Sequence, residues 1–249
     1  MAERQDWPEA VEVLNEGGTA EIVLLCEHAS NHIPAEYANL GLPADQLQRH
    51  IAWDIGAAAV TRQLSRLLDA PAFLGTYSRL MIDLNRPLYA YDSIPTRSES
   101  TDIPGNAQIS PLEIARRVQI IFAPFHRRVA SHLDRRLAMR RSTQLTSIHS
   151  YTPTFFGVDR PWHAGVLFGR AVHLAGNVIK QLRGPGLLIG INEPYKTDRQ
   201  GDYAIPIHGD DRDIPAIMIE IRNDLIDDPD GVELWASRVG RAISGPARS

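Results

Sequence analysis

Four places in this sequence collect side chains capable of hydrolytic chemistry, and each follows an apolar run. In EIVLLCEHASNHIP (residues 21–34) the run Ile22–Cys26 stops at Glu27 and His28, with Ser30, Asn31 and His32 close behind. A second run, Leu80 to Leu84, leads into Asn85 and Arg86; a third, from Gln144 to Ile148, into His149; a fourth, Ala216 to Ile219, into Glu220. Two imidazoles and a carboxylate around an open position form the donor set of a catalytic zinc. A further carboxylate beside them can act as general base. An arginine fork offers paired charge-assisted hydrogen bonds to a carboxylate. Neither HExxH nor GxSxG occurs, so the signal lies in the combination.

Each residue also has an ordinary reading. His28 and His32 fit loop positions. Asp54, just before a helical pattern, fits a first-turn acid on the helix dipole, or a metal or water ligand. Arg79 and Arg86 fit ion pairs with Asp83, or an anion clamp with Asn85. Tyr195 and His208 fit loops with no role, or loops that close over a substrate.

The elements that must position these groups read as an α/β protein. An unbroken apolar run of strand length is the mark of a strand buried on both faces, and open α/β sheets bind ligands beyond the carboxyl ends of such strands. Residues 1–20 read as an approach segment. A helix is expected to start at Ala44 or Asp45, and an amphipathic helix spans Ala57 to Leu68. Strands are expected at Ala72–Gly75, Leu80–Leu84, Gln144–Ile148, Val166–Gly169, Leu187–Ile191 and Ala216–Ile219. Residues 90–111 form a long loop, of the kind that binds or covers ligands. Ser110-Pro111-Leu112-Glu113 is a helix start. That helix runs to about Arg140, with a break at Pro124 and a solvated arginine face from Arg116 to Arg141; His126 is placed to point towards the site. Helices at Ala171–Leu182 and Gly231–Ile243 complete the set.

Composition narrows the function classes. A net charge of −4 leaves no electrostatic footprint for nucleic acid. No run approaches the 18 or so apolar residues of a membrane span. The single cysteine, Cys26, excludes an intramolecular disulfide and fits a reducing cytoplasm, as does an opening stretch without a signal-peptide core.

The blocks EHASNHIP, AWDIGA, SRLMIDLNRP, SIHS and IEIRNDLI, in this order and spacing, resemble the N-formylglutamate amidohydrolase family over about Glu21 to Asp227, and more distantly the zinc carboxypeptidases and aspartoacylases. The resemblance implies a single three-layer α/β/α domain over residues 1–249 with a mixed, mostly parallel sheet. It implies a zinc enzyme that cleaves the amide of a small anionic N-acyl amino acid, N-formylglutamate above others. Carried onto this chain, His28 and His149 are zinc ligands, and Asn85 and Arg86 hold a substrate carboxylate. Arg79 assists there or stabilises the oxyanion, and Glu220 is the general base. The carboxypeptidase pattern has a glutamate three residues after the first histidine, where this chain has Asn31, a poor ligand. Asp54 is therefore expected as the carboxylate ligand, with Glu27 in reserve. Two rivals remain: a deacylase or carboxypeptidase for another N-acyl group, and a non-catalytic binding protein for an acidic metabolite.

Overall fold

The apolar runs pair into one seven-stranded sheet in the computed structural model, which describes residues 7–245. The strands are β1 (Val11–Leu14), β2 (Ile22–Cys26), β3 (Ala72–Gly75), β4 (Gln144–Tyr151), β5 (Ala164–Phe168), β6 (Ile189–Ile191) and β7 (Ala216–Arg222). Their order is β1-β3-β2-β4-β7-β5-β6. Four pairings are parallel and two, β1 with β3 and β7 with β5, are antiparallel. The sheet is thus mixed and mostly parallel, as expected.

Side-chain alternation gives the sheet two different faces. Ile148, Val166, Ile217, Ile219 and Ile221 point to one side, against α1 (Ala57–Leu68), α4 (Val172–Leu182) and α5 (Pro229–Ser244). This layer is mostly apolar, with Thr61, Ser65, Thr146 and Ser150 buried in it, and each fully buried apolar side chain of this size stabilises by about 1.5–3 kcal/mol. α5 starts where Asp228 accepts a hydrogen bond from the Gly231 amide ahead of Pro229. Leu145, Leu167, Ala216 and Met218 face the other way, towards α3 (Ala123–Ala138) and a buried loop. Ser147, His149 and Glu220 share this second face by their period-two spacing. The apolar layer offsets the cost of burying charge opposite it.

Several expectations change. The run Leu80–Leu84 is fully buried but is not a strand. Its carbonyls are served by side chains: Asn106 donates to Leu80 and buried Arg117 to Met81, while the Asp83 amide donates to Ser93. Asn85 and Arg86 therefore end a coil. His149 and Glu220 lie inside their strands, which continue to Tyr151 and Arg222. The approach segment contains the edge strand β1. At Gln46–Gln48 there is only a single 3-10 turn. Ser110 does cap α2 (Pro111–Arg117) through the Glu113 amide. A π turn at Val118–Phe122 then precedes α3, in which Pro124 sits at the start, where a missing N–H costs least. Arg117 and Arg136 are buried, so that face is not uniformly solvated.

Three loops are laced together above β2. The Asp54 amide donates to the His28 carbonyl, the Ser78 amide to His32, and the Arg79 amide to Ala52. Gly56 makes the turn from Asp54 into α1 possible: its φ is +80°, and a Cβ there would lie 2.2 Å from the Ile226 carbonyl oxygen. No helix among the described residues is long and apolar enough to cross a membrane.

Candidate active site

A cavity of about 450 Å³ opens on the second face of the sheet, at the carboxyl ends of β2 and β4. Its walls include His28, Asp54, Arg79, Arg86, His149, Tyr195 and Glu220. Residues of the long loop, among them Tyr91, Asp92 and Arg97, form part of its rim.

His28, Asp54 and His149 meet at the floor, all buried, with one potential ligand atom from each lying within 4.8 Å of the others. Asp54 Oδ2 is 2.8 Å from His149 Nδ1 and 3.4 Å from His28 Nδ1. Asp54 does not cap α1. Its carboxylate turns to the imidazoles and accepts the Ser150 amide at 3.3 Å.

The far nitrogen of each ring meets a second carboxylate. His28 Nε2 lies 2.7 Å from Asp83 Oδ1, and His149 Nε2 lies 2.9 Å from Glu27 Oε2. A carboxylate only accepts, so both Nε2 atoms carry hydrogen, and His149 Nδ1 also donates to Asp54; a cation between the two Nδ1 atoms and Asp54 would take the place of that proton. Imidazoles oriented this way by outer carboxylates are the usual support of metal-ligating histidines. The outer carboxylates are themselves held. Asp83 accepts from Arg79 Nε and Nη2 at 3.1 and 2.7 Å and from the Asn85 amide, and Glu27 from Ser147 Oγ. Glu27, the reserve ligand, thus serves as a support. Asn31 lies elsewhere and donates to the Leu47 carbonyl.

The electrostatics favour a cation at this spot. Burial works against ionised Asp54 and Asp83, yet the imidazoles hold Asp54, and Arg79 with His28 holds Asp83, well below the usual carboxylate range. Burial also disfavours a charged His149, but Asp54 and Glu27 outweigh it and raise its pKa well above the ordinary value. His28 Nδ1 is buried and has no hydrogen-bond partner. Two imidazoles, one carboxylate and an unfilled lone pair fit a divalent metal.

Glu220 stands beside this group because β7 pairs with β4 in register, Glu220 against His149. It is only 5% exposed, and its Oε2 has no partner. Burial first, and the nearby Asp54 next, push its pKa up to about 7.

The remaining expected residues are divided. Arg79 is committed to Asp83, with Nη1 3.5 Å from Asp54. Arg86 donates to Asp92 at 2.9 Å and lies 3.7 Å from Asp202. Both line the cavity. The Asn85 side chain donates to Asp202 and accepts from the Tyr203 and Ala204 amides, so it fastens that loop. Tyr195 reaches the cavity. His208 does not line it: its Nε2 pairs with His126 Nδ1 at 2.9 Å, and His126 Nε2 donates to the Leu84 carbonyl. His126 is likewise behind the wall. Sequence reasoning gave Glu27 as a reserve ligand and Asp83 as an ion-pair partner of the arginines, and foresaw neither as a support of an imidazole.

Residues 20–227 match the model of one protein family, N-formylglutamate amidohydrolase. The chain belongs to that family. Among solved structures, this N-formylglutamate amidohydrolase family member is similar to a gene product of Agrobacterium tumefaciens at 35% identity and a TM-score of 0.90, with 95% of this chain and 96% of that one covered. The N-formylglutamate amidohydrolase from Ralstonia eutropha shares the fold, with a TM-score of 0.69 at 17% identity over 95% of this chain and 96% of that one. No curated protein matches the sequence.

Proposed function

We propose that this amidohydrolase-family chain is a zinc-dependent hydrolase of N-formyl-L-glutamate, releasing formate and glutamate, and that it acts as one catalytic domain in the cytoplasm, where its buried free Cys26 stays reduced. The observation that carries the reading is the buried His28-Asp54-His149 group with Glu220 beside it. A binding protein for an acidic metabolite has no use for a near-neutral carboxylate next to a metal-type donor set.

His28, Asp54 and His149 would hold the ion through two Nδ1 atoms and a carboxylate oxygen. Zinc bound there supplies Lewis-acid activation of water and of the acyl carbonyl. Glu220 takes the proton from the attacking water as the C–O bond forms, then delivers it to the amine nitrogen as the C–N bond breaks. A carboxylate whose pKa lies near neutrality suits both halves of that transfer. Arg79, fixed by Asp83 and directed at Asp54, stabilises charge developing on the acyl oxygen. Arg86 binds the substrate α-carboxylate, and Asn85 keeps the opposing loop in place. Tyr195 supplies a hydroxyl from the cavity wall. His208, hydrogen-bonded behind the wall, has no direct part in the reaction.

The test is formate release from N-formyl-L-glutamate by the purified protein, before and after chelation and with zinc restored. Activity lost to the chelator and recovered with zinc supports the reading. Hydrolysis of other N-acyl amino acids but not this one would move it to a different deacylase. No hydrolysis of any of them would favour the binding-protein reading.

A further inference from the structure

Every arginine expected to bind substrate already has anionic partners. Arg79 has Asp83 and Asp54, and Arg86 has Asp92 and Asp202. One guanidinium packed against the cavity wall, though not itself part of the lining, has none among the described residues. Arg160 is 8% exposed and forms no ion pair with any described residue. Its side chain donates a single hydrogen bond, from Nη1 to Tyr195 Oη at 2.9 Å. A guanidinium has five donors, and a buried cation without a counter-charge is costly.

The surroundings of Arg160 hold the fork still. Its guanidinium carbon lies 4.4 Å from the Phe155 ring centroid and 4.9 Å from that of Tyr195, and both rings line the cavity. Such stacking orients the planar group before a ligand arrives. The Arg160 amide is bonded to the Pro153 carbonyl, which anchors the segment that follows β4 and His149. Because Tyr195 Oη accepts from Arg160, its own hydrogen is free to be donated into the cavity.

We propose that Arg160 and Tyr195 form the subsite for the distal carboxylate of the substrate, and so select dicarboxylic N-acyl amino acids. The amide to be cleaved must lie at the triad and Glu220. Phe155 and Tyr195 line the wall, and Arg160 lies against both rings and bonds the Tyr195 hydroxyl, so its charge stands behind the group offered to the end of the substrate side chain. The carboxylate accepts from the Tyr195 hydroxyl and supplies the missing counter-charge to the guanidinium behind it. This inference rests on the hydrolytic reading above and adds its specificity.

The experiment compares kcat/KM for N-formyl-L-glutamate and N-formyl-L-glutamine in wild type, Arg160→Gln and Arg160→Lys. The acid-to-amide ratio should fall about 10- to 100-fold in Arg160→Gln, the loss expected of a charge-assisted bond, and recover in part in Arg160→Lys. Equal losses on both substrates would show a merely structural residue and overturn the proposal, as would an unchanged ratio. A lost preference for the α-carboxylate instead, read with N-formyl-L-isoglutamine, would overturn the distal assignment. Calorimetric binding of L-glutamate against L-glutamine separates this idea from the hydrolytic one. If wild type turns over no N-formyl substrate yet prefers glutamate, and Arg160→Gln abolishes that preference, the subsite stands while the proposed reaction fails. No preference in wild type overturns the subsite.

Discussion

Replacing Asp83 with asparagine removes a charge that touches neither substrate nor metal, yet it should weaken metal binding. Asp83 Oδ1 accepts from His28 Nε2 at 2.7 Å and from the Asn85 amide at 2.8 Å, while Oδ2 accepts two bonds from Arg79. An amide has one acceptor oxygen. If it faces His28, the amide NH2 meets the Arg79 donors; if it faces Arg79, the NH2 meets the His28 ring N–H. In both cases His28 loses an anionic partner, which lowers the basicity of Nδ1 and loosens the ring. Losing such an outer carboxylate costs about 10- to 100-fold in metal affinity, or about 1.4–2.8 kcal/mol. Arg79 keeps only Asp54, at 3.5 Å, so folding stability should also fall, by about 3 kcal/mol. Zinc competition against a chromophoric chelator measures the first effect, and urea unfolding of the same samples measures the second and shows whether the variant is folded. Asp92→Asn breaks the Arg86 pair at the same cavity but touches no imidazole, so its zinc affinity should stay within about twofold of wild type. A folded Asp83→Asn protein with wild-type zinc affinity would refute the claim that Asp83 orients His28.

Glu220→Gln keeps shape and removes the base. Turnover should fall about 100- to 10,000-fold with zinc content unchanged, and a variant with near-normal turnover would remove Glu220 from the mechanism. Arg86→Ala should raise KM for acidic substrates more than it lowers kcat; an unchanged KM would free Arg86 from carboxylate binding. Acid should destabilise the fold through the histidines behind the wall. Burial depresses His208 to about 4 and holds His126 well below its ordinary value, against about 6.5 in the unfolded chain. The unfolded state therefore binds protons first. Stability is complete above about pH 6.5 and declines as pH falls towards 4, by about 3 kcal/mol for His208 alone. Urea midpoints at pH 7.5 and 4.5 measure this, and a drop that does not shrink in His208→Gln would contradict it.

The sequence pattern located the centre of this site better than its supports. Strand β2 was legible because Ile22–Cys26 is apolar on both faces, and its end marked Glu27 and His28. Asp54 was legible from the helix that follows it, although only the tertiary structure shows that its carboxylate serves the imidazoles and leaves the helix end uncapped. The run Leu80–Leu84 misled because a fully buried coil and a fully buried strand look alike in sequence; what differs is that Asn106 and Arg117, distant in the chain, satisfy its carbonyls. His149 and Glu220 seemed to end strands because a polar residue interrupts each run, yet the ladder continues past both on the face that carries the cavity. Asn85 kept its place near the cavity but spends its amide on the loop at Asp202, and His208 is turned to His126. Arg160 gave no signal, because a counter-charge deficit exists only once the other arginines have found their partners.

The most direct test is metal content by elemental analysis of the purified protein and of His28→Ala and His149→Ala. The expected result is about one zinc per chain in wild type and its loss in both variants, since each removes one of two Nδ1 donors. Wild type that holds no zinc even after incubation with the ion, or variants that retain it, would contradict the metal-dependent mechanism at its centre.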